Sequence, residues 1–150
     1  MQKVQVWVFT GSDFGGLEVL LLRTTPERGG FWQPVTGSVE SDEDLSSAAQ
    51  RELREETGLE VGSKELISLG HSFSYPSRWG GIAQEEVFAI FFDSSVSVKS
   101  FPIRIDSDEH DAFQWQEWRQ ALSFLKHEET KKCLQIAAKF FEKKFSPRKN

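Results

Sequence analysis

The chain predicts an α/β fold in which a mixed β-sheet lies between helices, and three observations carry that expectation. Val4, Val6 and Val8 alternate with Gln5, Trp7 and Phe9, the mark of a half-buried or fully buried first strand. Leu17 to Thr24 (LEVLLLRT) is a near-continuous apolar run, as expected of a strand covered on both faces. The strands interleave with two main helical segments, and that order calls for a sheet sandwiched between helices.

The elements follow in turn. GSDFGG, residues 11–16, reads as a turn, and TPERGG as a loop leading to FWQPVTG. That last stretch is extended, with Pro34 arguing against a central ladder position. Ser41 followed by Asp44 gives an approximate capping box for a helix whose packing side is Leu45, Ala48, Ala49 and Leu53, with Gln50 at its edge. Gly58 supplies a left-handed cap and Leu59 packs back on the last turn. Glu65 to Tyr75 and Glu85 to Asp93 read as strands joined by the loop PSRWGGIAQ. SSVSVKSFP reads as an edge strand or a loop, and Ala112 to Gln116 as a short strand. Trp118 to Phe124 is expected to be helical. In a last helix, Glu129 to Phe145, the residues Cys133, Ile136, Ala137, Phe140 and Phe141 form an apolar stripe.

A length of 150 residues with 27% charged and 13% aromatic side chains suits one globular domain, 1–150, ending in a solvated basic tail at about 143–150. No apolar run approaches the roughly 20 residues that cross a bilayer, and the alternating start does not resemble a leader peptide. Cys133 stands alone, so no disulfide framework or thiolate cluster forms within the chain, and a half-buried thiol in a reducing cytoplasm is expected. A net charge of −5 counts against an extended nucleic-acid surface. It does not count against a phosphate substrate whose charge is met by metal ions.

The segment GSVESDEDLSSAAQRELREETGL, residues 37–59, carries the chemistry. Glu52, Glu55 and Glu56 fall at i, i+3 and i+4 and share one helix face, where they repel one another. That arrangement makes sense around hard divalent cations such as Mg²⁺, which are bound by carboxylates, water and substrate phosphates.

The same segment resembles the Nudix box: Gly, five residues, Glu, seven residues, Arg-Glu, an aliphatic, any residue, Glu-Glu, any residue, Gly, an aliphatic. Gly37, Glu43, Arg51, Glu52, Leu53, Glu55, Glu56, Gly58 and Leu59 fill it without departure. The resemblance implies a Nudix-type α/β/α sandwich over about residues 4 to 142 and a hydrolase dependent on Mg²⁺, with Mn²⁺ as a substitute. Glu52, Glu55 and Glu56 are then the ligands, joined by a main-chain carbonyl at Gly37 or Thr36. Arg51 braces the cluster, pairing with Glu55 or reaching back to Glu43, while Gly37, Glu43 and Gly58 hold its shape. The general base is a box glutamate or, as the resemblance also implies, Glu109 in SDEHDAFQW. Glu85 and Glu86 compete less well for that role, since one of them must face away. His71, His110 and His127 read as structural or surface residues, with His110 set apart by its neighbour Glu109.

For the substrate, the resemblance implies that Arg23 lies near the phosphates, and Trp32, Gln33, Arg78 and Trp79 are suited to stack on or hydrogen-bond a ring. FWQPVTGSVE resembles the segment opening the box in bacterial dihydroneopterin triphosphate (dATP) pyrophosphohydrolases. EHDAFQW onward is similar to asymmetric diadenosine tetraphosphate hydrolases, but those carry Pro-Lys-Gly where this chain has Val35-Thr36-Gly37. The expected partner is therefore a small nucleotide or pterin polyphosphate, cleaved to a monophosphate and pyrophosphate by a monomer or homodimer. Cleavage of a dinucleoside polyphosphate is the alternative. A silent nucleotide sensor is a third reading, although no box glutamate is lost. Removal of a 5′ pyrophosphate from RNA is disfavoured by the charge.

Overall fold

β1 (Gln2–Gly11) becomes the central strand because every residue from Val4 to Thr10 is buried, leaving no face for solvent. The computed structural model describes residues 1–12, 15–93 and 97–145. The expected turn at GSDFGG, the start of SSVSVKSFP and the tail beyond residue 145 therefore lie partly or wholly outside the described residues.

One edge of β1 pairs in parallel with β6 (Ile82–Phe92), from Gln2 opposite Gln84 to Thr10 opposite Phe92. β5 (Ile67–Pro76) adds antiparallel outside β6. The other edge of β1 is divided. Phe9 to Gly11 pair with β2 (Leu17–Thr24), whereas Lys3 to Val6 pair with β4 (Val35–Ser38). β1 and β2 thus splay apart. The gap is filled by β3 (Trp32–Gln33) on Leu22 and Arg23 of β2 and by β4 on β1. Pro34 falls where the chain crosses between these partners, a point at which no ladder N–H is needed. β7 (His110–Glu117) closes the free edge of β2, and the strand order is β3-β2-β1-β6-β5.

The two faces of this mixed sheet carry separate cores, which gives the α/β/α sandwich. Val4, Val6, Val8, Leu20, Leu22 and Phe88 pack with Ala48, Ala49 and Leu53 of α1 (Leu45–Thr57). On the opposite face Trp7, Phe9, Leu21 and Val87 meet Cys133, Leu134, Ala137 and Phe141 of α3 (Glu128–Phe145). Phe141 lies 5.3 Å from the Phe9 ring and 5.6 Å from that of Phe91. A short α2 (Trp118–Ala121) follows β7.

Several boundaries differ from those the sequence suggests. The N-cap of α1 is Asp44, whose Oδ1 accepts the Ser47 N–H at 2.7 Å, and not Ser41. Asp42 adopts a left-handed φ of 70°, so the chain is still turning there and a helix cannot have begun. β5 starts later than Glu65, which lies in a 3₁₀ turn, and β6 begins at Ile82, confining the hairpin tip to Ser77–Gly81. The α3 stripe is rotated: Leu134 and Ala138 are buried, Ile136 is half-buried and Phe140 is 38% exposed. Helix also continues through residues 143–145, the start of the expected tail. Cys133 is fully buried, not half-buried, and burial pushes its thiol up to about 12. Among the described residues no helix is long and apolar enough to cross a membrane.

Leu53 is fully buried between α1 and the sheet while its neighbour Glu52 faces the cluster described below. Leu53→Ala is expected to cost about 2–5 kcal/mol of unfolding free energy. A urea titration followed by circular dichroism checks this.

Candidate active site

α1 delivers its acidic residues to the edge of the sheet because the helix buries two neighbouring stripes. Ala48, Ala49 and Leu53 enter the core, and Glu52 and Glu56 lie beside them against β4, only 9% and 2% exposed. Gly37 of β4 makes this approach possible. A Cβ there would sit 2.0 Å from Cδ of Glu52, so any larger residue would occupy the space of the carboxylate. The Thr36 backbone acts to favour the ionised form of Glu56, whose Oε1 is buried without a hydrogen-bond partner. Burial, and then the charges of Glu52 and Glu109, push the Glu56 carboxyl up to about 9. Glu52 is also raised, chiefly by burial. Glu55, 51% exposed at its side chain, completes the triad at the solvent side.

Arg51 holds the group together. Its Nε and Nη2 donate to the two Glu43 oxygens at 2.8 and 2.9 Å, and Nη1 donates to Glu52 at 2.8 Å and Glu55 at 3.2 Å. Nη2 also reaches the Ser38 carbonyl at 2.8 Å, tying the helix to β4. Sequence reasoning offered Glu43 or Glu55 as partners, and the guanidinium takes both. At the end of the helix Gly58, at φ 84°, donates its N–H to the Arg54 carbonyl at 2.8 Å, the left-handed cap expected of it.

Glu109 joins from the opposite wall. A turn in which the N–H groups of Glu109 and His110 donate to the Asp106 carbonyl, together with Thr25 N–H donating to the Glu109 carbonyl, fixes its place. Its carboxylate lies 3.5 Å from Arg28 and lines the same cleft of about 750 Å³ as Glu52 and Glu55. Burial raises its pKa, with Asp106 and Glu55 adding to the effect and Arg28 opposing it. His110 is 1% exposed and pairs through Nε2 with Gln33 Nε2 at 3.0 Å, and burial lowers its pKa to about 4. The ring is therefore neutral at physiological pH. His71 pairs with Glu129 at 3.1 Å, and His127 lies edge-on to Phe31.

A second cleft of about 510 Å³ adjoins the acidic one, and Lys3, Phe31, Gln33, Thr36 and Tyr75 line both. Trp32 and Phe73 add aromatic surface to it. Of the expected substrate contacts, Trp32 and Gln33 line this groove, while Arg78 and Trp79 line the acidic cleft at the hairpin tip. Arg78 lies over the Trp79 ring, which is 77% exposed. Arg23 lines neither cleft. It is held by Asp111 at 2.7 Å and sits over Trp32. Glu85 is at the floor of the aromatic groove, whereas Glu86 accepts from Ser68 Oγ at 3.4 Å. Sequence reasoning passed over Gln5, Arg28 and Tyr75. For Gln5 a signal existed: a polar residue within the otherwise apolar run Val4-Gln5-Val6-Trp7 of a doubly covered strand.

The box carboxylates offer oxygen donors only, Glu52 and Glu56 are buried, and Arg51 pairs with Glu52 and Glu55 but not with Glu56. An orphaned Glu56 oxygen and a glycine that makes room for Glu52 fit a hard divalent cation. The Glu43–Arg51 pair yields a pH test. Arg51 holds the Glu43 carboxyl at about 2, below its ordinary 4.5, so its stabilisation is complete above 4.5 and is lost as pH falls through about 2. Glu43→Gln is expected to lower the urea midpoint at pH 7, with the gap from the native protein closing between pH 4.5 and 2.

Residues 1–136 match the family model described as NUDIX domain. An octanoyltransferase of Myxococcus xanthus is 40% identical over 108 residues, 71% of this chain, although the chain spans only 28% of that protein's length. The mouse asymmetrical bis(5′-nucleosyl)-tetraphosphatase is 30% identical over 129 residues, covering 85% of this chain and 83% of its own. In structure, the Caenorhabditis elegans Ap4A hydrolase binary complex gives a TM-score of 0.77 at 20% identity, covering 95% of this chain and 98% of that one. The Escherichia coli dihydroneopterin triphosphate pyrophosphohydrolase gives 0.72 at 21%, covering 93% and 95%. These structural likenesses are of fold. With the family match spanning nearly the whole chain and the box complete, the chain belongs to the Nudix hydrolase family, whose members act on phosphoric anhydride bonds.

Proposed function

We propose that this chain is a Mg²⁺-dependent pyrophosphohydrolase that splits a nucleoside triphosphate, or dihydroneopterin triphosphate, into the monophosphate and pyrophosphate. Nudix hydrolases generally use divalent cations, typically Mg²⁺, and the acidic cleft fits one. One observation supports this reading above the others: the acid-lined cleft opens, through a shared wall, into an aromatic groove. A planar ring in the groove would run its phosphates past Gln33 and Thr36 to the glutamates. The local resemblance of FWQPVTGSVE to the dihydroneopterin triphosphate enzymes agrees with it.

Each residue then has a part. Glu52, Glu55 and Glu56 would hold the cation, with a backbone oxygen at Gly37 or Thr36 as a further ligand. When bound, the cation would neutralise phosphate charge and make its water a better nucleophile. Arg51 keeps Glu52 and Glu55 in place and would touch no substrate. Glu109, raised in pKa and facing the cluster across the cleft, is placed to take a proton from the attacking water, while Arg28 beside it can pair with phosphate oxygens. Trp32 and Gln33 would bound the ring. Arg78 and Trp79 would cover the cleft mouth, and Arg23, committed to Asp111, would steady Trp32.

Hydrolysis of a dinucleoside polyphosphate is the second reading, favoured by the 30% identity to the mouse tetraphosphatase. The exposed Trp79 would then provide a platform for the second base. The Myxococcus protein's name carries no substrate to this chain, which spans 28% of it. A silent sensor has less support, since every box glutamate is present.

Purified protein with Mg²⁺ is to be given the eight common nucleoside triphosphates, dihydroneopterin triphosphate and diadenosine tetraphosphate, with products resolved by chromatography. Pyrophosphate plus a monophosphate from a triphosphate supports the proposal, and ATP plus AMP from the dinucleotide alone supports the second reading. Glu56→Gln is expected to keep the fold and lower turnover by orders of magnitude, and near-normal activity would remove the cation-site assignment. Glu109→Gln is expected to slow turnover by about 10²- to 10⁴-fold and flatten the pH profile. An unchanged rate and profile would return the base to α1.

A further inference from the structure

Beneath the aromatic groove lies a buried polar chain that the chemistry above does not use. Trp7 Nε1 donates to Gln5 Oε1 at 2.6 Å, Gln5 Nε2 donates to Glu85 Oε2 at 2.8 Å, and Tyr75 donates its hydroxyl to Glu85 Oε1 at 2.8 Å. The directions are fixed from one end. An indole N–H can only donate, so the Gln5 oxygen must accept it and the Gln5 amide nitrogen must point to Glu85. Glu85 is thereby presented as an acceptor. It is 5% exposed, yet it lines the groove beside Phe73 and Tyr75, whose rings lie 5.7 Å apart at 29°.

Such a carboxylate is costly to bury unless it is well supplied with donors. Burial raises its pKa even though Tyr75, Gln5 and the Lys3 charge act the other way. Each oxygen has one donor here and can accept a second. A ring that lies against this aromatic surface and offers two adjacent N–H donors would complete the set. A 2-amino-4-oxopyrimidine ring has such an edge, with its imino N–H beside its exocyclic amino group. Adenine and cytosine place an acceptor beside their amino group, and uracil and thymine flank a single N–H with acceptors.

We propose that Glu85 is a specificity-determining residue that reads the amino-imino edge of a 2-amino-4-oxopyrimidine ring, so that the groove selects a guanine or pterin triphosphate over other bases. This rests on the pyrophosphohydrolase reading and names its substrate class. Gln5, Trp7 and Tyr75 are positioning residues for it, and the phosphates extend past Thr36 to the acidic cleft.

The test compares kcat/KM for GTP and ITP, which differ only by the 2-amino group, in the native protein and in Glu85→Gln, with dihydroneopterin triphosphate as the pterin arm. GTP is expected to exceed ITP by about 10- to 100-fold in the native protein, and Glu85→Gln to bring that ratio within about threefold of one. For dihydroneopterin triphosphate, Glu85→Gln should raise KM by about tenfold or more, as loss of a charged hydrogen-bond pair implies. A native ratio near one, or a ratio that survives the substitution, overturns the inference. Faster turnover of the pterin identifies it as the source of the ring, and faster turnover of GTP identifies guanine. If no triphosphate is hydrolysed, the pyrophosphohydrolase reading fails by itself. Calorimetric binding of GMP against IMP to the same two proteins, with Mg²⁺, then decides the role of Glu85. Where Glu85→Gln does not fold, the native GTP-to-ITP ratio decides alone.

Discussion

Arg51 donates to Glu43, Glu52, Glu55 and the Ser38 carbonyl from a side chain only 15% exposed, and the whole acidic end of the fold depends on that fork. Without it, three carboxylates on one helix face would repel each other and Glu52 would be buried with no positive partner. A lysine could not replace it, because its ammonium lacks the planar spread of donors that reaches four residues at once. The contacts leave Glu56 unneutralised, with an orphaned oxygen and a pKa pushed up to about 9. The cluster is braced for shape and left short of positive charge, the condition under which a divalent cation binds.

The sheet topology explains why the cluster sits where it does. β1 divides one edge between β2 and β4, and the resulting gap admits the segment Trp32 to Ser38. That segment supplies Gly37 to receive Glu52, the Thr36 backbone that acts on Glu56, and Trp32 and Gln33 to the groove. One stretch of chain therefore joins the acids to the aromatic surface. Glu109 arrives independently through the turn at Asp106 and the bond from Thr25.

Much of this was legible in the sequence where local pattern and tertiary role coincide. The strand at Leu17 to Thr24 is found at those limits, and the triad at Glu52, Glu55 and Glu56 shares one face as helical spacing requires. Gly37 was recognisable by its place in the box, but the reason for a glycine there, a carboxylate against the backbone, is a contact between elements. Boundaries moved where a single backbone angle decides them, as at Asp42 before α1. The α3 stripe shifted because Leu134 and Ala138 face the sheet in place of Phe140, a rotation that spacing alone does not set. The roles of Gln5 and Tyr75 are not legible in the sequence because they come from Glu85, a residue 80 positions from Gln5.

The most direct test of the central claim, that a guanidinium-braced carboxylate cluster is a divalent-cation site, is the Mn²⁺ affinity of the native protein and of Arg51→Lys by electron paramagnetic resonance. Charge is conserved in that variant and the fork is lost. The account predicts a folded protein whose cation affinity falls by about 10- to 100-fold, as loss of a group that orients metal ligands does elsewhere. A folded variant that binds Mn²⁺ as tightly as the native protein would contradict it.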